Sequence, residues 1–194
     1  SIGVSGSYLA IGNASGLRFD DSLNRILPFN TETPTATNGT LDIGSSGGRF
    51  KDLYLAGGAY LGGTGSANKL DDYEEGTWTP TLLGSTTNPT TSSLTIQGAT
   101  YTKVGRTVHV QAYIVANVTN VGAGEAQIGG LPFTVGTGYT PAVFKHGDLI
   151  ESNGGYFNNG ANRIIAIADF TTNGKPYAGT GSRGLMISGT YEVA

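Results

Sequence analysis

The feature that most constrains this chain is the alternation over residues 107–118, TVHVQAYIVANV. Val108, Val110, Ala112, Ile114, Ala116 and Val118 fall on one side, and His109, Gln111 and Tyr113 on the other. A period of two sends successive side chains to opposite faces of a strand, so the segment predicts a half-buried antiparallel strand. Tyr101-Thr102-Lys103-Val104 leads into it through Gly105-Arg106, a hairpin-length turn in which Gly105 can supply a positive φ. Leu185, Ile187, Gly189, Tyr191 and Val193 repeat the alternation within 184–193. Between these, shorter strands are expected at 125–128, 132–135, 141–144 and 163–170, with Gly, Asn or Pro in nearly every gap. Many short strands with such punctuation predict an antiparallel β-sandwich.

The first half of the chain is thinner. Ser7-Tyr8-Leu9-Ala10-Ile11, Leu17-Arg18-Phe19 and Arg25-Ile26-Leu27-Pro28-Phe29 read as strands of three to five residues, separated by turns at 12–16 and 20–22. Residues 31–40, TETPTATNGT, form a polar loop with an Asn38-Gly39 turn signal. Ile11-Gly12 with Arg18-Phe19 is echoed by Ile43-Gly44 with Arg49-Phe50, as a repeated strand–turn unit would be. Residues 66–75 are the one plausible helical turn, between Gly65 and Gly76. Large apolar side chains are sparse before residue 76, too few for one copy to offset a backbone ordering cost of ~1–2 kcal/mol per residue. That shortage predicts wrapping with identical copies. The opening SIGVSGSYLAIG reads as mid-pattern, which predicts residues upstream of Ser1, and it lacks the charged and apolar regions of a signal peptide.

Composition narrows the function classes. Charged residues make up 13%, against roughly 25% in an average globular protein, while glycine is abundant at 32 residues. Hydrophobic residues at 38% with a net charge of only -3 do not fit the disordered class. Low charge with many Gly, Thr and Asn describes an extracellular β protein rich in tight turns. With no cysteine, disulfides and thiolate metal sites are excluded. No basic patch favours nucleic acid, and no apolar run is long enough to predict insertion in a membrane.

Sites for chemistry are sparse as well. His109 and His146 lack any metal-ligand spacing, and the acidic run Asp71-Asp72-Tyr73-Glu74-Glu75 lacks the alternating ligands and central glycine of a calcium loop. No Gly-x-Ser-x-Gly elbow occurs, and Glu125, Asp148, Glu151 and Asp169 are not paired by spacing. The reading is therefore of a protein with no catalytic residue, metal or cofactor. Gly62-Gly63-Thr64-Gly65-Ser66 lacks the Lys-Ser/Thr ending of a phosphate loop. Aromatic faces among amides and hydroxyls suit carbohydrate. On that ground the candidate binding residues are Tyr139, Tyr156, Asn158, Asn159, Asn162 and Tyr177, all in Gly- and Asn-rich loops.

Three blocks in the middle of the chain carry a resemblance. They are Ile43-Gly44-Ser45-Ser46 with Arg49-Phe50-Lys51-Asp52-Leu53-Tyr54-Leu55, then Tyr60-Leu61-Gly62-Gly63-Thr64-Gly65-Ser66-Ala67-Asn68, then Leu70-Asp71-Asp72-Tyr73-Glu74-Glu75-Gly76-Thr77-Trp78-Thr79-Pro80. Tyr101-Thr102-Lys103-Val104-Gly105-Arg106 and Ile187-Ser188-Gly189-Thr190-Tyr191 extend it, and residues 121–183 match only loosely. Together they resemble the C-terminal region of bacteriophage tail fibre proteins, of the kind found in tailed phages of marine bacteria. The resemblance implies a homotrimer on the virion, outside the host cell. It implies a Gly-rich trimeric shaft and neck at 1–76, followed by a jelly-roll-like receptor-binding head at 77–194. The implied partners are upstream tail components and a host cell-surface glycan or outer-membrane protein. No binding residue is carried over, because the matching motifs look architectural.

Overall fold

The computed structural model describes residues 2–5, 8–145, 148–152, 154–167 and 175–194. His146, Asn153, Asp169 and the end of the strand expected at 163–170 lie outside them. The fold is all-β: among the described residues, helical structure is confined to two short 3-10 turns. None is long and apolar enough to cross a membrane. The chain forms two compact units, residues 1–55 and 56–194.

The first unit is an antiparallel meander of five strands in chain order: β1 (Ile2–Ser5), β2 (Tyr8–Gly12), β3 (Gly16–Asp20), β4 (Arg25–Asn30) and β5 (Thr35–Ala36). The short strands expected from sequence are therefore present. Ala10 and Phe29 are buried, and the Arg18 guanidinium lies 5.2 Å from the Phe29 ring centre. Asp20 is held by the Ser22 hydroxyl at 2.7 Å and Arg18 at 2.8 Å. The Ser22 bond, with Arg18 and Arg25 nearby, keeps its carboxyl below the usual range despite burial. The expected repeat differs. Ile11-Gly12 and Arg18-Phe19 belong to the β2–β3 hairpin, but Ile43-Gly44 and Arg49-Phe50 lie in irregular chain. Arg18 and Phe19 pair onward with β4, whereas no strand follows residue 50 within this unit.

The second unit opens with a small pair, β6 (Ala59–Tyr60) and β7 (Lys69–Leu70). The helical turn expected at 66–75 is limited to a 3-10 turn at Ser66–Asn68. Tyr73–Thr77 is instead strand β8, drawn out by its partner strand. Glu74 bonds the Tyr101 hydroxyl, Asp72 pairs with the buried Lys103, and Gly76 lies under the Tyr101 ring. The expected boundary at residue 76 thus falls inside a strand of the larger sheet.

That sheet has nine antiparallel strands. The others are β9 (Thr81–Gly84), β10 (Thr90–Val104), β11 (Thr107–Asn120), β12 (Ala126–Gly129), β13 (Pro141–Lys145), β14 (Gly154–Phe157), β15 (Arg163–Ile167) and β16 (Gly181–Glu192). Their order is β8-β10-β11-β16-β13-β14-β15-β12-β9. The two marginal strands, β8 and β9, are joined by Trp78, Thr79 and Pro80 alone. Laid flat, nine strands at ~4.8 Å spacing would set the margins ~38 Å apart. The joining chain reaches only ~14 Å. The sheet must therefore curl on itself, and the buried Trp78 marks the closing corner. The sandwich expected from sequence takes the form of one curled sheet around one core.

The core is the inner face of that curl. Val108, Val110, Ala112, Ile114, Ala116 and Val118 are all buried, and Leu185, Ile187 and Tyr191 of β16 join them. Both alternations read from sequence hold, in register Val110↔Gly189 and Ala112↔Ile187. Residues 132–135 do not form the expected strand. The Phe133 N–H and carbonyl both bond the Tyr191 hydroxyl, at 3.3 and 3.1 Å, which occupies the groups a neighbouring strand would have used.

Candidate functional site

Tyr139 and Tyr156 meet because of the β13–β14 hairpin. Tyr156 pairs with Pro141, and the Phe157 N–H bonds the Thr140 carbonyl at 2.9 Å, which places residue 139 over the outer side of β14. Gly155 and Phe157 face inward, so Tyr156 faces out. The two rings stand edge to face with centres 5.3 Å apart and an angle of 87°. Tyr139 is 69% exposed. Partial burial, then the Glu125 carboxylate and the Tyr139 ring, raise the ionisation of the Tyr156 hydroxyl, so it remains a protonated donor.

The turn from β14 to β15 carries the amides. It is closed by the Asn158 N–H to the Arg163 carbonyl and the Ala161 N–H to the Asn158 carbonyl, both at 3.0 Å. Gly160 sits at φ +69°, which only glycine adopts without strain. Asn158 is half-buried, whereas Asn159 and Asn162 are exposed. Five of the residues expected from sequence thus gather at one end of β13, β14 and β15.

Tyr177 does not join them. It is buried, and its hydroxyl lies 3.1 Å from the Leu83 carbonyl and 2.9 Å from that of Gln127, tying β9 to β12. Burial pushes its ionisation far above the ordinary tyrosine range. Its place in the binding set is corrected here: a side chain that braces the sheet has no face to offer a ligand.

A second feature escaped the sequence reading. The outer face of β10, β11, β16 and β13 holds an open groove of about 430 Å³. Gly98, Tyr113, Met186 and Lys145 follow one another across the four strands. Thr100, Gln111, Ser188 and Val143 form the next row. Gly98 opens one end, since it follows a bulge in β10 and has no side chain. The Gln111 amide donates to the Thr100 hydroxyl at 3.1 Å. The signal was present in the outward residues of 107–118 and 184–193. Their convergence depends on pairings between distant parts of the chain.

Among the described residues, no three His, Asp or Glu side chains gather as a metal site would require. His109 bonds the Thr190 hydroxyl at 3.1 Å on the outer face. Asp148 lies 3.9 Å from Arg183 and accepts the Gly184 N–H at 3.0 Å. The two outer features offer ring faces, amides and hydroxyls, which is chemistry for holding a hydroxylated ligand. No protein-family model, curated protein or solved structure matches the chain.

Proposed function

We propose that the chain is the receptor-binding region of a trimeric bacteriophage tail fibre, attached to the virion through upstream tail components. In this reading a shaft and neck lead into a jelly-roll-like head, which adsorbs to a glycan or outer-membrane protein on the host surface without cleaving it. The observation that carries it is the solvent-facing Tyr139–Tyr156 pair beside Asn158 and Asn159, mounted on the β13–β14 hairpin and the turn that follows. Ring faces stack on sugar or peptide, amides bond their polar groups, and the sheet beneath holds both in place. Exposed apolar side chains support assembly: Ile43, Phe50, Leu53, Tyr54 and Leu55 are all exposed in a segment without strands. Three weak sites on one fibre then act together through effective concentration.

The test is attachment of fluorescently labelled protein to a panel of bacterial isolates. Saturable binding to at least one strain is expected, weakened at least tenfold in a folded Tyr139→Ala, Asn158→Ala, Asn159→Ala variant. No saturable binding across the panel would overturn the reading. Release of reducing sugar from the polysaccharide of a bound strain would replace it with a hydrolase.

A further inference from the structure

The groove on the outer face of β10, β11, β16 and β13 shares no lining residue with the Tyr139–Tyr156 pair. Its wall combines three kinds of chemistry. Tyr113 and Met186 supply apolar surface, and Thr100, Gln111 and Ser188 supply hydroxyls and an amide. Gln111 uses its N–H on Thr100, and its amide carbonyl has no partner among the described residues, so it can accept a bond from a ligand hydroxyl. Lys145 supplies the one cation in the lining. Among the described residues no Asp or Glu lines the groove and Lys145 is in no ion pair.

That last point selects the ligand. The chain carries net charge -3, yet here an ammonium stands beside an apolar wall with no carboxylate among the described residues to answer it. A pyranose has an apolar C–H face and a rim of hydroxyls, and a uronate adds a carboxylate. From the matching of stacking surface, hydroxyl partners and a single unanswered cation, we infer that this groove binds a uronate unit of a cell-surface glycan. Tyr113 and Met186 contact the sugar ring, Gln111, Thr100 and Ser188 bond its hydroxyls, and Lys145 pairs with its carboxylate. Neighbouring units have a route along β13, whose outward Val143 lines the groove and whose Pro141 pairs with Tyr156. The four residue steps of that strand span ~13 Å. The choice of a glycan rests on the recognition reading above; the acidic class rests on the groove itself.

Calorimetric titration with galacturonate and glucuronate trimers, and with their methyl esters, tests this. One acid trimer should bind saturably and its ester at least tenfold more weakly. Lys145→Met should cost the acid form at least tenfold without affecting the ester, and Lys145→Arg should restore most of the loss. Gly98→Leu provides a second block. A Cβ at Gly98 meets nothing within 4 Å, so a larger residue fits the fold while filling the groove. It should abolish binding. The inference is overturned by no saturable binding of either acid trimer, by equal binding of acid and ester, or by undiminished binding in Lys145→Met. It is also overturned if acidic peptides compete as well as the trimers do. Attachment to bacteria without uronate binding removes the groove and leaves the recognition reading standing. Uronate binding without attachment to any strain supports the groove and removes that reading.

Discussion

Tyr191 is the residue through which alkaline pH reaches the core. Its ring is buried against Phe157, with centres 4.8 Å apart, and burial pushes its ionisation up to about 12 from an ordinary value of 10.0. The Phe133 N–H donates to the same oxygen and offsets part of that rise by favouring the anion. Between pH 10 and 12 the unfolded chain releases this proton while the folded chain keeps it. The folded state then binds more protons, so stability is intact below pH 10 and is lost as pH rises toward 12. Tyr177, raised by burial from the same ordinary value of 10.0, adds to the loss from pH 10 upward and extends it to higher pH. Denaturant midpoints measured from pH 8 to 12 should therefore fall steeply above 10. Tyr191→Phe should make that fall shallower, leaving the part due to Tyr177. At neutral pH the same change should lower stability by about 1–3 kcal/mol, because it leaves the Phe133 N–H and carbonyl without their partner. A steep fall unchanged in Tyr191→Phe would assign it to other groups.

Among the elements, the corner at Trp78, Thr79 and Pro80 decides whether the sheet closes. Trp78 donates its backbone N–H to Ala99 and its indole N–H to Gln111, each at 3.2 Å, so the corner is fastened to β10 and β11. On the far margin Gly130, at φ +82°, lets the chain pass so close that a Cβ there would lie 2.1 Å from the Thr79 carbonyl oxygen. Trp78→Ala should cost about 3–5 kcal/mol of unfolding free energy, read by chemical denaturation, through lost burial and the cavity left behind. A cost under about 1 kcal/mol would mean that the corner is not what holds the margins together. The corner also marks where the sequence became hard to read. β11 and β16 were legible because each has one dry and one wet face. Residues 90–96 of β10 were not, because that part of the strand has no neighbour beyond it and is exposed on both faces, leaving no alternation. β14 read as a loop because its Gly154-Gly155 pair looks like a turn. In the fold Gly155 admits the Ile165 carbonyl to within 2.1 Å of where a Cβ would stand. Tyr139, Tyr156 and the asparagines were legible as outward residues. Tyr177 was not, since its burial depends on carbonyls at residues 83 and 127, which no local pattern reveals.

At the scale of the whole molecule, what the chain leaves uncovered matters more than what it buries. The second unit closes a core of its own, but residues 41–55 carry Ile43 at 85% and Tyr54 at 89% exposure, with Phe50 and Leu53 also exposed. No strand runs from residue 37 to residue 58, so this backbone has few regular partners within the chain. Contiguous apolar exposure on that scale marks an association surface. In the proposed trimer like copies occupy it, bringing the same Gly-rich backbone and the same uncovered side chains to a shared axis. Light scattering at micromolar concentration should give three times the chain mass of 19.9 kDa. Leu53→Ser with Tyr54→Ser should shift that mass toward one chain, while near-ultraviolet dichroism of Trp78 in the second unit stays unchanged. The shift should carry through to function. If attachment depends on three sites held together, loss of the assembly should weaken cell binding by about 10²–10⁴-fold with every outer-face residue intact. A single-chain mass for the unaltered protein would overturn this account of the exposed segment. Equal attachment by trimeric and dissociated forms would separate assembly from recognition, leaving one head sufficient for binding.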